Sequence, residues 1–325
     1  IKKMKLNTIT KVVFVAVLAA GMYSCQNGDE FFAVERYEKM IYIISDKSNN
    51  IFDAEYELTG EDISMKTLPL AVSGSNPIDS DVHVMLEHDP EILDNYNMRI
   101  YLDDKSRYAR ELDAFSYILP TYSVEIKAGD DPAYEVGKLP VQIKEEVLNR
   151  LNVDSTYFIS FRIKDAEPYP VNEAKKNVLF RVLKKNAYAS QKKDTYYTTE
   201  GYVNGGYFST SKRVMPLAHN SIRAYVGSEV YSNEDIEQVI LKKAMKITVG
   251  ADNKLVLAPF KEEGGLKLEM LVASTDPADE TYPYKNEYSP EKKRFYLYYR
   301  YDIGNGWVES REMMTSEEVL EDDKD

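Results

Sequence analysis

The chain reads as all-β, mainly strands with short helices, arranged as an antiparallel sandwich followed by a small antiparallel barrel or sandwich. Three observations predict this. From Met40 onward the dominant hydrophobic period is two, the mark of half-buried strands. The helical stretches are too short to cover a parallel sheet, and Pro, Gly and Asp turns separate the strands at antiparallel spacing. Tyrosine, which favours strands and half-buried surfaces, occurs 26 times against 11 phenylalanines and one tryptophan.

The first 24 residues read as a signal peptide. Lys2, Lys3, Lys5 and Lys11 precede a nine-residue apolar run, 12–20. A secretory core needs about 7 to 15 apolar residues, whereas a membrane-spanning helix needs roughly 20. Ile1 is an unusual first residue, and Met4 followed by Lys5 would serve equally well as a start. Met22, Tyr23 and Ser24 precede the single cysteine, Cys25, in a loose version of the lipoprotein signal, with Ser24 the small residue before the cut. A lone thiol in an exported chain forms no intramolecular disulfide, so acylation of Cys25 is the expectation, beside ordinary signal cleavage or a buried structural cysteine. Residues 25–34 then form an acidic tether, led by Asp29 and Glu30.

A first module is expected over 35–184. In 39–45, Met40, Tyr42 and Ile44 share one side of a strand; Val82, Val84 and Leu86 mark the next clear one. Asp89 caps and Pro90 opens a helix of one or two turns over 91–96. A second short helix is expected over 105–112. Tyr122, Val124 and Ile126 alternate with Ser123, Glu125 and Lys127, and the strand ends in the turn 128–132. Leu139, Val141 and Ile143 begin another strand, 145–151 a short helix, and Tyr157, Ile159, Phe161 and Ile163 a strand with one apolar face. Val178, Phe180 and Val182 close the module before the polar stretch 184–194, where the boundary is placed.

The second module, 185–315, opens with Tyr196, Tyr197, Tyr202, Gly205, Gly206, Tyr207 and Phe208. Ile222, Ala224 and Val226 give a strand, and Ser232 or Asn233 caps a helix whose Ile236, Val239 and Ile240 share a face. Strands over 246–250 and 254–258 flank a hairpin turn, 266–272 supplies another, and Phe295, Leu297, Tyr299 and Tyr301 line one face of the next. The turn Gly304-Asn305-Gly306 returns the chain through Trp307. Five or more such strands with one interposed helix favour a barrel, and 316–325 is an acidic, frayed tail.

Removing the signal leaves 37 basic against 54 acidic residues, a net charge of −17. Such a chain repels nucleic acid and anionic lipid and lacks a basic stripe for phosphates, so no nucleic acid partner is expected. The acidic pairs Asp103-Asp104, Asp130-Asp131 and Glu262-Glu263 fall in turns. His83 and His88 are five apart, hence on opposite faces of a strand, and His219 has no nucleophile elbow around it. No catalytic residue, metal ligand or cofactor is assigned.

The motif Asp94-Asn95-Tyr96-Asn97, then Tyr117-Ile118-Leu119-Pro120-Thr121-Tyr122, leading to a strand that ends in Gly129, resembles the N-terminal domain of Bacteroidota surface lipoproteins encoded with glycan-uptake machinery. That domain also precedes family-18 endoglycosidases. Lys212-Arg213-Val214-Met215-Pro216-Leu217, Asn220-Ser221-Ile222-Arg223 and Asn286-Glu287-Tyr288-Ser289-Pro290 resemble the C-terminal domain of many such lipoproteins. The resemblance spans most of 35–315. It implies an immunoglobulin-like sandwich followed by a β-rich domain, exposure at the cell surface and carbohydrate binding. The acidic stretch behind Cys25 is similar to the signal that exports Bacteroidota lipoproteins to the outer face of the outer membrane. The shared motifs look structural, with Asn95 and Asn97 as turn residues and Pro120 and Pro216 at strand entries, and they transfer no catalytic residue.

A pyranose packs its apolar C–H face on a flat ring and needs polar groups around the rim. Trp307, beside Asn305, is the best platform by residue type, unless it plugs the barrel core. Tyr282, Tyr284 and Tyr288 follow, interleaved with Pro283, Lys285 and Asn286. The expected protein is a non-enzymatic outer-membrane lipoprotein anchored through acylated Cys25, binding a glycan or oligosaccharide beside an outer-membrane glycan importer. The rival readings are a fimbrial or adhesin subunit, for which the apolar residues between Phe31 and Tyr42 could provide a donor strand, and a glycoside hydrolase with two carboxylates about 5 to 9 Å apart.

Overall fold

The computed structural model describes residues 37–129 and 136–318. The signal segment, Cys25, the acidic tether, part of the 128–132 turn and the end of the acidic tail lie outside them. The described part is mainly β with short helices, in three sheets.

The first module contains β1 (Ile41–Ile43), β2 (Ile51–Glu57), β3 (Ile63–Val72), β4 (Val82–His88), α1 (Glu91–Tyr101), β5 (Arg110–Glu111), β6 (Ser123–Ile126), β7 (Val136–Lys144), α2 (Glu145–Arg150), β8 (Tyr157–Glu167) and β9 (Asn177–Lys185). A sheet ordered β1-β3-β7 faces one ordered β2-β9-β8-β4-β6, with β5 beside β8. Between them lies one apolar core to which Leu68, Leu70, Leu139, Val141, Val84, Ile159, Phe161 and Phe180 contribute, the inward halves of alternating strands.

Several expectations change here. In β1 the buried residues are Ile41 and Ile43, while Tyr42 is half-exposed. Both alternating sets are apolar, so the pattern leaves the phase open. Pairing of Ile41 with Val72 and Ile43 with Leu70 decides it. The 105–112 stretch is a single 3-10 turn, Lys105–Arg107, followed by β5, because Arg110 and Glu111 pair with Tyr157 and Phe158. That pairing is parallel, as is β2 on β9, so the sandwich is not wholly antiparallel. Strands β2 and β3 had no clear alternation: Asp53 of β2 is engaged by Arg181 (2.6 Å) and β3 carries Pro69. Helix α1 runs to Tyr101. Asn95 and Asn97 are therefore helical, and Asn97, buried, exchanges hydrogen bonds of 2.9 Å with the backbone N–H and carbonyl of Ala109.

The second module contains β10 (Thr195–Val203), β11 (Gly206–Ala218), β12 (Ser221–Tyr225), α3 (Glu237–Lys243), β13 (Ala244–Val249), β14 (Leu255–Pro259), β15 (Lys267–Met270), β16 (Glu287–Ser289), β17 (Arg294–Asp302) and β18 (Val308–Ser316). The order β14-β13-β12-β11-β10-β18-β17-β15, with β16 on β17, is a nearly closed barrel. Pro216 lies inside β11, opposite Ile222 and beside a bulge, rather than at a strand entry. Ser316, expected in the tail, is a buried residue of β18.

Phe295, Leu297, Tyr299 and Tyr301 point into the barrel with Tyr197, Val214, Ile222, Ile247 and Met314. Among them sits an ion pair. Lys212, 1 % exposed, reaches Glu312, 0 % exposed, and donates to the carbonyl of Tyr225 at 2.9 Å. Tyr299 donates to Glu312 and accepts from the Gly227 N–H at 2.7 Å. Two of the three ammonium donors and both Glu312 oxygens are thereby engaged, which is the partnering a buried charge pair depends on.

Polar contacts join the modules. Arg223, 3 % exposed, donates to Asp154 (Nη2 to Oδ1 2.7 Å), and the Lys192 N–H donates to Glu55 at 3.2 Å. Within the first module, Lys184, 1 % exposed, donates to the carbonyls of Leu148 (2.9 Å) and Leu151 (3.1 Å) at the end of α2.

Candidate functional site

Strands β14 and β15 do not pair, touching instead through a hydrogen bond from the Leu257 N–H to the Met270 sulfur at 3.4 Å, and the segment 271–287 crosses that seam. Its anchor is Asn286, which is 93 % buried and in the left-handed conformation (φ 53°). The Asn286 amide donates to the carbonyls of Leu271 (2.9 Å) and Tyr298 (3.1 Å) and accepts from the Tyr298 N–H (2.8 Å). Its own carbonyl accepts from the N–H of Leu255 at 2.9 Å, which ties the segment to β14. Asparagine is suited to this position because its short amide tolerates positive φ and bonds locally.

Below this bridge a cleft of about 640 Å³ opens along the seam. Met270, Leu271 and Val272 give it apolar surface; Val272 is 93 % exposed. Tyr282 stands on its wall with the Lys285 ammonium 3.9 Å from the ring centroid, a cation–π distance. Lys254 and Glu287, an ion pair, and the hydroxyl residues Ser274 and Thr275 complete the rim. An apolar floor, a ring and mixed donors and acceptors are what a sugar or similar amphipathic small molecule requires.

The other sequence-selected residues lie elsewhere. Tyr284 is only 6 % exposed, and burial pushes its phenol above the ordinary tyrosine range, so its ring offers no open face. Tyr288 packs 4.6 Å from Phe295 and 5.0 Å from Tyr188, and burial raises its hydroxyl to about 12. These two are corrected from platform to packing residues. Interleaved polar neighbours made the group look like an open loop, but β16 pairs Tyr288 with Phe295 and carries it onto the core edge. Trp307 is 42 % exposed and does not plug the barrel. The Arg300 guanidinium lies 4.7 Å from its ring centroid and is held there by Glu269 (Nε to Oε2 2.7 Å). Asn305 is exposed in the same turn, whose Gly304 and Gly306 N–H groups are gathered by the Asp302 carboxylate at 2.7 and 2.9 Å.

One arrangement was not legible in the sequence. Strand register aligns Tyr207, Tyr202, Arg311 and Tyr298 in a single row across the outer barrel face. Tyr202 and Tyr207 meet edge to face at 5.6 Å, the Arg311 guanidinium lies 4.8 Å over Tyr202, and Glu280 of the seam segment binds Arg311 at 2.7 Å. Only cross-strand pairing brings these four together.

Buried carboxylates have structural partners. Glu145 accepts from the N–H groups of Thr59 (3.0 Å) and Gly60 (2.8 Å), and Glu312 holds Lys212. Among the described residues no group of three or more His, Cys, Asp or Glu is placed to hold a metal ion.

A family model described as an N-terminal domain matches residues 37–170, and one described as C-terminal matches residues 176–315. No curated protein matches the sequence. Among solved structures, a multidomain protein including DUF1735 from Bacteroides ovatus is similar at 18 % identity and a TM-score of 0.56, covering 85 % of this chain and 94 % of that one. A protein of unknown function from Bacteroides ovatus is similar at 16 % identity and a TM-score of 0.52, covering 89 % and 92 %. An auxiliary nutrient binding protein from Bacteroides thetaiotaomicron is similar at 15 % identity and a TM-score of 0.50, covering 84 % and 92 %. At these identities the likeness is one of fold, and it extends over both modules.

Proposed function

The chain belongs to the Bacteroidota family of two-domain proteins, of the glycan-utilisation type, whose paired models take in most of residues 37–315, and from that premise we propose that it is a non-catalytic surface lipoprotein that captures glycans. The seam cleft carries this reading. Tyr282 supplies a ring, Leu255 and Leu271 an apolar floor, and Lys254, Glu287, Ser274 and Thr275 hydrogen-bonding groups at the rim. Trp307 is a second platform on the same module, one that Arg300 already engages. The description of the Bacteroides thetaiotaomicron neighbour as a nutrient binding protein supports the reading. So does the structural engagement of Glu145 and Glu312, which leaves neither available as an acid or base for hydrolysis.

Capture needs little affinity per site. Micromolar to millimolar binding suffices where many copies share one surface. Acylation of Cys25 would hold the protein at the outer membrane beside a glycan importer. Glycan-array binding of the intact chain tests the capture. Tyr282→Ala is expected to lower the signal about 10-fold, the scale of one lost ring contact with its buried area, and Trp307→Ala to lower it less. A signal indifferent to both substitutions would sink the assignment of these rings. Metabolic labelling with a palmitate analogue is expected to mark the chain and to miss Cys25→Ser; an unmarked parent chain would remove the anchor.

A further inference from the structure

The N-terminal module holds a cleft of about 520 Å³ that the capture site does not use. One wall is the turn after β1. There the Asp46 carboxylate accepts from the N–H groups of Ser48 (3.1 Å) and Asn49 (2.7 Å), and Asn50 donates to the Ala174 carbonyl and to Asn177, each at 2.9 Å. The facing wall is one side of α1, on which Glu91, Asn95 and Arg99 succeed each other at helical spacing. The floor is apolar: Ile92, Tyr96 and Leu179 pack on Phe158, with the Tyr96 ring 5.4 Å from the Phe158 ring.

The rim carries both kinds of hydrogen-bonding group. Glu91 presents acceptors, as does Asp89, whose carboxylate also binds Arg162 at 3.3 Å, and Arg99 and the exposed Asn95 amide present donors. Arg99 donates across the cleft to the side-chain amide oxygen of Asn49 (Oδ1) at 2.6 Å rather than to a carboxylate, in a chain where acidic residues outnumber basic ones. An anion would meet Asp89 and Glu91, and a cation would meet Arg99 and Lys47. Neighbouring hydroxyls of a neutral sugar donate and accept at once and satisfy both sets.

The geometry points to a second saccharide site in this cleft, with Arg99, Asn95 and Asn49 binding hydroxyls above a Tyr96 and Ile92 floor. The inference rests on the glycan reading of the barrel cleft and adds to it that each module grips the same polymer. Two linked weak sites raise retention of a long chain far more than that of a short one.

The test uses the intact chain and six soluble polysaccharides: starch, yeast mannan, arabinoxylan, galactan, arabinogalactan and chondroitin sulfate. Affinity electrophoresis measures retention, and hydroxyl-radical footprinting of the retained complex locates the contact. The expected result is protection of Tyr96 and Ile92 together with Tyr282. Asn95→Ala combined with Arg99→Ala, both exposed, should lower polysaccharide retention about 10-fold or more while changing trisaccharide binding far less than that. Retention that depends on Tyr282 but neither protects Tyr96 nor responds to the double substitution overturns this inference and leaves the barrel site standing. Retention that depends on the double substitution and ignores Tyr282→Ala upholds the N-terminal cleft and removes the barrel site. Failure of all six polysaccharides to be retained overturns both.

Discussion

The Lys212 ammonium is the most demanding single group in the barrel. Burial pushes its pKa down, Glu312 pulls it up, and burial dominates. Tyr299, with its phenol pushed well up by burial and by Glu312, is the third member. Breaking such a set from one side leaves an uncompensated charge, whereas replacing both charged partners with apolar groups does not. Lys212→Met is therefore expected to cost about 3–5 kcal/mol in urea unfolding, and Lys212→Met with Glu312→Leu to recover most of it. A double variant no more stable than the single one would show that the pair itself, rather than its completeness, supports the barrel. Nothing in the local sequence marks this set. Lys212 and Glu312 are 100 positions apart, and each follows a run of polar residues, Ser209-Thr210-Ser211 and Glu309-Ser310-Arg311.

At the scale of elements, strands whose two faces differ in polarity were legible: β4, β7, β9 and β17 bury the residues that alternation selects. Legibility failed where both faces are apolar, as in β1, or where the second face is buried against something other than the sheet. In β12 all five residues are buried, the polar Ser221 and Arg223 included, because Arg223 is the contact to Asp154. Of the candidate site, Tyr282 was legible as a ring in a polar loop. The cleft beside it was not, since it exists only because β14 and β15 fail to pair. Asn286 bridges that gap, and Asn286→Ala removes three side-chain hydrogen bonds from a buried position. The expected cost is about 1–3 kcal/mol, with faster amide exchange at Leu255 and Tyr298. Unchanged exchange at both amides would mean that the seam is held by other contacts.

In the whole molecule the Arg223–Asp154 ion pair joins the two modules, and Lys184 lies on the first module's side of it. Lys184 closes β9, donates to the last carbonyls of α2 and lies near Arg223. Burial, assisted by Arg223, lowers its pKa from 10.5 to about 7. From about pH 7 up to the unfolded lysine range, the unfolded chain keeps a proton that the folded chain has released, so Lys184 makes stability rise with pH across that window. Below pH 7 the contribution is flat. The unfolding free energy of the parent chain relative to Lys184→Met is accordingly expected to increase between pH 7 and about 9; a constant difference would place Lys184 in contact with water. The parallel β2 and β9 pairing has a mechanical consequence. These strands lie near opposite ends of the first module and are matched over seven residue pairs, from Ile51 with Leu179 to Glu57 with Lys185. A pull that drags the start of the module one way and its exit the other loads those bonds lengthwise and together, instead of opening them one after another. A protein tethered near its amino end and tugged by a polymer held farther along would thus resist through a whole ladder at once.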